Sequence, residues 1–296
     1  MKIAFLGRAI HEKTQSDAFF IDLLKQVGEV TVWRRENLGS RQCVDEVNAL
    51  QPDLTIFFQL PPSISHHLLR LRSKRKIWVP MWDGFAPLNW KKRLAYRWAG
   101  LEAISFCNPV HNHLSTSGIP SLQVRYFPAP ISAGPLSPQP PYTFFLWQRD
   151  PNIGLSLIQK AFPTDQIKKI LYKSDFATKI PSSFPIERLE GWIPKEQLLE
   201  KISEADFYIA PRLQEGIGFS FLEAMAMQKI VLAHDDATMN EYIQDGRTGY
   251  LFDKEGNFRY FIASPATLES NLRESTDQMH HQWLRDKQKL LDLLRG

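Results

Sequence analysis

The feature that most constrains the fold is a regular alternation of short apolar runs with amphipathic segments, on both sides of a proline-rich stretch. Runs such as "KIAFLG", "LTIFFQ" and "KIWVPMW" occur in the first half, and "TFFLWQ", "DFYIAP" and "KIVLAH" in the second. Because these runs are apolar along their whole length, they predict strands of parallel sheets that helices cover on both faces. The chain is therefore predicted to be an α/β protein.

The proline-rich stretch "PAPISAGPLSPQPPY", residues 128–142, divides the alternation into two halves. Proline at this density is incompatible with a helix interior or a central strand, so the stretch predicts a stiff linker. The expected organisation is an N-terminal Rossmann-like domain over 1–130, a linker over 131–141, a second Rossmann-like domain over 142–264, and a C-terminal helix over 265–296 that packs back on the first domain. The two domains are expected to face each other across a cleft, where open α/β sheets bind ligands.

Positive charge is concentrated in residues 66–100, which hold nine Lys and Arg side chains against the single acid Asp83, with tryptophans between them. Such a segment suits an anionic membrane surface or a small anionic acceptor, and a solvated basic face is the alternative. Nucleic acid is not expected as a partner, because no recognition motif accompanies the charge.

The cysteine content and the apolar runs bear on localisation. Cys43 and Cys107 are far apart and lack a metal-binding spacing, which predicts two free thiols in a reducing compartment. No apolar run has the length of a signal peptide or a membrane span. We expect a cytoplasmic protein, with peripheral contact at the inner face of the membrane as a further expectation.

The stretch "PRLQEGIGFSFLEAMAMQK", residues 211–229, combines two glycines with two carboxylates in an apolar context. Gly216 and Gly218 interrupt any continuous helix, so the stretch predicts a strand end, a loop and then a helix. A helix start offers free N–H groups to a phosphate, and a glycine loop lets a diphosphate approach the backbone. Glu223 would then reach a ribose diol, and Glu215 would face a group beyond the diphosphate. A glycine turn that only packs tightly is the alternative.

The longer run "ADFYIAPRLQEGIGFSFLEAMAMQKIVLAHDDATMNEYIQDGRTGYLFD" resembles the nucleotide-sugar-binding domain of retaining glycosyltransferases of family 4, which have the two-domain GT-B fold. The shared features are the AD before a strand that ends in Pro, the EG-x-G-x-x-x-x-EAMA motif, and a later E-x-x-x-x-G-x-x-G. The resemblance covers residues 143–253 well and the first half more loosely.

The resemblance implies a role for each matching residue. Glu215 would meet the donor sugar, Glu223 would hold the ribose, and Arg149 would neutralise the diphosphate. Backbone groups of the loop and helix start would bind the sugar hydroxyls and the diphosphate: Gly216, Ile217, Gly218, Phe219, Ser220 and Phe221. Asp83, at a predicted strand end, is a candidate to orient or deprotonate the acceptor, and a turn aspartate that bonds its own backbone is the alternative. Neither a metal ion nor another cofactor is expected.

Three positions depart from the family pattern. The lysine that usually precedes the glycine matched by Gly154 is Ile153 here, the usual Gly-Gly before Glu241 is Ala237-Thr238, and the frequent His-Asp of the first domain is Trp82-Asp83. The missing lysine puts in doubt one of the two positive charges that would stabilise the diphosphate leaving group.

The resulting functional prediction is a metal-independent, hexosyltransferase-like enzyme that moves a sugar with retention from a nucleotide diphosphate donor to an acceptor hydroxyl. The expected partners are a UDP- or GDP-sugar and a sugar or lipid-linked acceptor. A nucleotide-sugar epimerase of the same fold and a non-catalytic nucleotide-sugar-binding partner subunit remain as alternatives.

Overall fold

A computed structural model describes residues 1–176, 184–260 and 262–296, so short parts of the predicted second domain lie outside the described residues. The chain forms two compact units. The first comprises Met1–Arg125 together with Leu284–Gly296, and the second comprises Tyr126–Trp283. Each unit contains one six-stranded sheet in which every strand pair is parallel. The predicted α/β class is therefore confirmed.

In the first unit the sheet has the order β2-β1-β3-β4-β5-β6, so the direction of winding reverses between β1 and β3. The interior strand β3 is buried along its whole length, as its unbroken apolar run predicts. The strands are β1 Lys2–Gly7, β2 Glu29–Arg34, β3 Leu54–Phe58, β4 Arg75–Val79, β5 Glu102–Ser105 and β6 Ser121–Gln123. The helices are α1 Ile10–Thr14, α2 Ala18–Lys25, α3 Arg41–Leu50, α4 Trp90–Trp98 and α5 Asn108–Thr116, with a π-helix at Ile64–Leu68 and a 3-10 turn at Trp82–Gly84.

In the second unit the order is β12-β11-β10-β7-β8-β9. The strands are β7 Tyr142–Gln148, β8 Ile167–Ser174, β9 Ile186–Arg188, β10 Phe207–Ile209, β11 Ile230–His234 and β12 Gly249–Phe252. The helices are α6 Leu155–Ala161, α7 Lys195–Ser203 and α8 Phe219–Ala226, with 3-10 turns at Thr164–Gln166, Met239–Glu241 and Pro265–Thr267. Helix α9, Glu269–Arg295, belongs to this unit up to Trp283, and its remaining residues belong to the first unit. The short edge strand β9 is an element that the sequence pattern did not indicate. None of the helices in the described ranges is long and apolar enough to cross a membrane.

An aromatic cluster fixes the two central strands of the second sheet against each other. The rings of Phe144 on β7 and Phe207 on β10 stack with centroids 5.2 Å apart, and Phe162 meets both edge-on at 4.8 Å. All three side chains lie in the buried core of this unit. Because β7 and β10 are direct neighbours in parallel, the loops that follow them leave the sheet at the same edge.

The proline-rich stretch is tied to the second unit by two buried charged side chains. The carboxylate of Asp206 accepts the backbone N–H groups of Ser137 at 2.7 Å and Thr143 at 2.8 Å. The ammonium of Lys229 donates to the carbonyl of Gly134 at 3.0 Å. Asp206 is the acid of the "AD" pair before β10, so this short motif has a structural role in anchoring the chain that enters the domain.

Candidate functional site

The candidate site of the second unit is built from the loops after β7 and β10 and from the start of α8. Arg149 directly follows β7, while the loop after β10 carries Glu215 and ends at Gly218. Gly218 adopts φ +80°, and a Cβ there would lie 1.9 Å from the ring of Phe221. Only glycine fits both conditions, so the loop can enter α8 at this angle only because position 218 has no side chain.

The first turn of α8 offers mainly backbone groups to a ligand. Ile217 and Phe221 are buried, so their side chains face the protein interior. The N-cap residue Gly218 has no side chain to satisfy the free N–H groups, and the first turn contains no acid. Such a helix start favours a negatively charged ligand group. Phe219 and Ser220 are half-buried, and the Phe219 ring meets that of Tyr126 at 5.2 Å.

The two carboxylates predicted from the sequence differ in their surroundings. Glu215 is 9% exposed, in the loop. Glu223 lies on α8, and its Oε1 is 2.6 Å from the ammonium of Lys195, the first residue of α7. The Glu223 side chain is 14% exposed, whereas that of Lys195 is 66% exposed. A ligand that donates hydrogen bonds to Glu223 would therefore meet Lys195, a residue that sequence reasoning had not singled out.

Tyr208, on β10, is a buried polar residue that sequence reasoning had not singled out. Its side chain is fully buried, and among the described residues its hydroxyl has no hydrogen-bond partner of ordinary geometry. Burial raises the pKa of Tyr208, the nearby hydroxyl of Ser220 lowers it, and the charges of Glu215 and Glu223 raise it further, while Arg149 acts in the opposite direction. The pKa of Tyr208 thus depends on the charges of Arg149, Glu215 and Glu223.

Arg149 is held from one side by an aromatic ring and an acid. Its guanidinium carbon lies 4.9 Å from the centre of the Trp147 ring, and its Nε is 3.5 Å from Oδ2 of Asp175. Asp175 in turn accepts a hydrogen bond from the Trp147 indole at 2.9 Å. The Arg149 side chain is 33% exposed, so part of the guanidinium can still meet a ligand.

The three departures from the family pattern have different structural consequences. Ile153 is 1% exposed and packs in the core of the second unit, so this position points away from solvent. Thr238 is fully buried at φ +44°, ψ −44°, a backbone region that is strained for a β-branched residue. Its hydroxyl lies 2.9 Å from the carbonyl oxygens of both Glu215 and Gly216, and so ties the acidic loop to the turn before Met239–Glu241.

Asp83 belongs to the first unit. It is an exposed residue of the 3-10 turn Trp82–Gly84. Over residues 1–176, 184–260 and 262–296, no group of three or more His, Cys, Asp and Glu side chains is arranged to hold a metal ion.

Comparison with known proteins shows what the segment around this site is similar to. Residues 184–265 match the family model described as glycosyl transferases group 1, a segment that contains both Glu215 and Glu223. The resemblance to glycosyltransferases is therefore confirmed. Among individual sequences, alpha-maltose-1-phosphate synthase of Mycolicibacterium smegmatis is 35% identical over 65 residues, which is 22% of this chain and 17% of that protein. The chain thus spans about a sixth of the length of this curated relative.

Similar solved structures extend the comparison to the whole chain. Sucrose-phosphate synthase from Thermosynechococcus elongatus superposes with a TM-score of 0.66 at 13% identity, covering 100% of this chain and 98% of that one. Anabaena HepE in complex with UDP gives 0.59 at 13% identity, with 99% of each chain covered. A variant of S. aureus TarM in complex with fondaparinux, alpha-GlcNAc-glycerol and UDP gives 0.55 at 15% identity, covering 83% of this chain and 58% of that one. These similarities confirm the predicted GT-B fold.

Proposed function

We propose that the protein transfers a sugar from a nucleotide diphosphate-sugar to an acceptor hydroxyl. The observation that carries this proposal is that β7 and β10 are neighbouring parallel strands, so Arg149, directly after β7, and the loop with Glu215, after β10, leave the sheet at the same edge, where α8 with Glu223 begins without a capping side chain. One cation, two carboxylates and the N–H groups at the start of α8 thus belong to segments that leave the same edge of the second sheet, and all of them except Arg149 lie within the segment that matches group 1 glycosyl transferases.

The proposed chemistry divides among these groups. Cleavage of the bond between the sugar and the diphosphate leaves negative charge on the diphosphate, and the start of α8 and Arg149 stabilise that charge. Glu223 accepts hydrogen bonds from the ribose diol, in exchange for part of its contact with Lys195. Glu215, which is largely enclosed, lies beside the transferred sugar, where positive charge develops at the anomeric carbon.

The finer assignments follow from the resemblance and are part of the same proposal. We assign the enzyme to the retaining, metal-independent, hexosyltransferase-like members of family 4, with residues 1–130 as the acceptor-side domain and 142–264 as the donor domain. UDP is the first donor nucleotide to test, because Anabaena HepE and S. aureus TarM were solved with UDP. Asp83 is proposed to orient or deprotonate a sugar or lipid-linked acceptor. A cytoplasmic location with contact at the inner membrane face completes the proposal.

A second candidate is a non-catalytic subunit that binds a nucleotide-sugar, and the burial of Ile153 favours it. The expected lysine is absent, and its position faces the core, so the diphosphate would lose one stabilising cation. Such a subunit would bind the donor without consuming it.

The experiment that tests the proposal compares Glu215→Gln with Glu223→Gln. Purified protein is screened by mass spectrometry against UDP- and GDP-sugars with mixed acceptors, and the variants are then measured with the donor that is consumed. Glu223→Gln should chiefly raise the donor KM, since ribose contacts exist equally in the ground and transition states. Glu215→Gln should chiefly lower kcat, since its contact strengthens as charge develops.

Glu196→Gln provides the matched control, because Glu196 is an exposed glutamate on the neighbouring helix α7. Its kinetics should equal those of the unmodified protein. Unchanged turnover of Glu215→Gln would contradict the assigned role. Donor binding without consumption would support the non-catalytic subunit, and release of an isomerised nucleotide-sugar without an acceptor would indicate an epimerase.

A further inference from the structure

Helix α4, Trp90–Trp98 in the first unit, presents large apolar side chains to solvent. Trp90 is 69% exposed, Leu94 is 62% exposed and Trp98 is 76% exposed. These residues are four positions apart, so at 100° per residue they fall within about 80° of the helix circumference. They form one continuous stripe, which we call the α4 stripe. The opposite face is anchored in the unit by Tyr96, which is fully buried and donates from its hydroxyl to the carbonyl of Pro62 at 2.9 Å.

Basic side chains flank the α4 stripe on both sides. At 100° per residue, Lys91 follows the stripe on one side, while Arg93 and Arg97 lie on the other. All three are exposed, and the Lys91 ammonium lies 5.6 Å from the centre of the Trp90 ring. From Gly84 to Leu101 the sequence contains four basic residues and no acid. The face therefore combines an apolar centre with a uniformly positive border.

We propose that the α4 stripe inserts into the headgroup region of an anionic lipid bilayer, with Lys91, Arg93 and Arg97 on the lipid phosphates. Tryptophan side chains are amphipathic and favour the membrane interface, where the indole body contacts acyl chains and the N–H stays hydrated. Long basic side chains can extend from the same depth to the phosphates. Charge complementarity selects an anionic bilayer over other apolar surfaces, because a positive border would repel itself across an interface between two copies of this chain.

This binding mode makes a prediction that simple attraction of a basic surface does not. Electrostatic attraction alone weakens steeply with salt, whereas insertion of three large apolar groups leaves binding that salt does not remove. It also places Trp90 and Trp98 at the depth of the upper acyl chains. The inference does not depend on transferase activity, so it can fail or succeed separately from the proposed function.

The test is flotation of the full-length protein with phosphatidylglycerol–phosphatidylcholine vesicles and with phosphatidylcholine vesicles alone. The unmodified protein should float with the anionic vesicles, and brominated acyl chains should quench its fluorescence. The triple variant Trp90→Ser, Leu94→Ser, Trp98→Ser should bind at least about tenfold more weakly and lose the quenching. The triple variant Lys91→Gln, Arg93→Gln, Arg97→Gln should bind about a hundredfold more weakly, at roughly a fivefold loss per basic residue.

Two matched controls separate local from global effects. Trp192→Ser removes another exposed tryptophan, 60% exposed, without touching α4. The triple variant Lys25→Gln, Arg41→Gln, Arg273→Gln removes the same net charge from exposed positions on three other helices. Both should bind like the unmodified protein, and melting curves should show that all variants are folded.

Three results would overturn the proposal. The unmodified protein could ignore anionic vesicles at low salt. The variant without the α4 stripe could bind as tightly as the unmodified protein, which would leave only surface charge. Sedimentation could instead show a dimer that the stripe variant abolishes, which would make a second copy of the chain the occupant.

Discussion

Thr238 allows a sharp separation between stability and activity, because it combines backbone strain with a hydrogen bond to the acidic loop. Its φ of +44° and ψ of −44° cost about 1–3 kcal/mol for a residue with a Cβ. Its hydroxyl, 2.9 Å from the carbonyls of Glu215 and Gly216, returns about 0.5–1.5 kcal/mol as a hydrogen bond. The strain is thus tolerated where the side chain holds the loop that carries the candidate catalytic carboxylate.

Three substitutions at this position have different expected outcomes. Thr238→Gly releases the strain and loses the hydrogen bond, so the two effects on the free energy of unfolding largely cancel. The melting temperature should therefore change by only a few degrees, since about 1 kcal/mol corresponds to about 2–4 °C. Thr238→Val keeps the shape and the strain but offers no hydroxyl to the buried carbonyls, and should cost about 1–3 kcal/mol. Thr238→Ser keeps the hydroxyl and loses only a methyl group.

Turnover should follow the hydroxyl and not the stability. We expect Thr238→Ser to retain most of kcat, and Thr238→Gly and Thr238→Val to lower kcat by about tenfold or more, because Glu215 loses its fixed position. The measurements are steady-state kinetics with the identified donor and melting curves on the same preparations. Thr276→Val is the matched control, since Thr276 is also buried and bonds a backbone carbonyl, that of Met225 at 3.1 Å, outside the acidic loop. It should lose stability without losing kcat. A Thr238→Gly variant with full turnover would refute the reasoning.

Two further predictions concern ligand affinity and pH. Arg149→Ala should weaken UDP binding by about 1.5–3 kcal/mol in titration calorimetry without added metal. The control Lys254→Ala, at an exposed position, should leave the affinity unchanged. Equal UDP affinities of Arg149→Ala and the unmodified protein would mean that the Arg149 guanidinium faces away from the diphosphate. Burial lowers the pKa of His67. Its Nδ1 accepts the N–H of Ser63, and its Nε2 donates to the carbonyl of Leu38. The unfolded chain therefore binds a proton at this residue near pH 6.5, whereas the folded chain binds it only at lower pH. Stability should therefore fall as the pH drops below 6.5, by up to about 1.4 kcal/mol per pH unit from this residue. When the pH is lowered from 7.5 to 5.5, the melting temperature of His67→Gln should fall less than that of the unmodified protein. The melting temperature of the control His281→Gln, at an exposed position, should fall as much as that of the unmodified protein. An equal fall in His67→Gln and the unmodified protein would contradict the assignment.

The amino-acid sequence by itself was sufficient for the α/β class and for the strand–loop–helix arrangement around Gly218. Both depend on local information. A fully apolar run indicates a strand whose two faces are both covered by helices. The close contact with Phe221 and the positive φ at Gly218 involve residues only three positions apart in the chain. The placement of Glu215 in the loop and Glu223 on the following helix follows from the same local pattern.

The tertiary structure decided which side chains meet. Tyr208 lies in an apolar strand, where its sequence position looks like that of any core residue, and only the pairing of β10 with β7 brings Arg149 to the sheet edge from which the loop with Glu215 leaves. Lys195 reaches Glu223 because α7 packs beside α8. The sequence showed tryptophans within a basic segment, but only the anchoring of Tyr96 determines that Trp90 and its neighbours on the α4 stripe face solvent. Such contacts depend on how distant segments pack, and a one-dimensional pattern of apolar and polar residues does not contain that information.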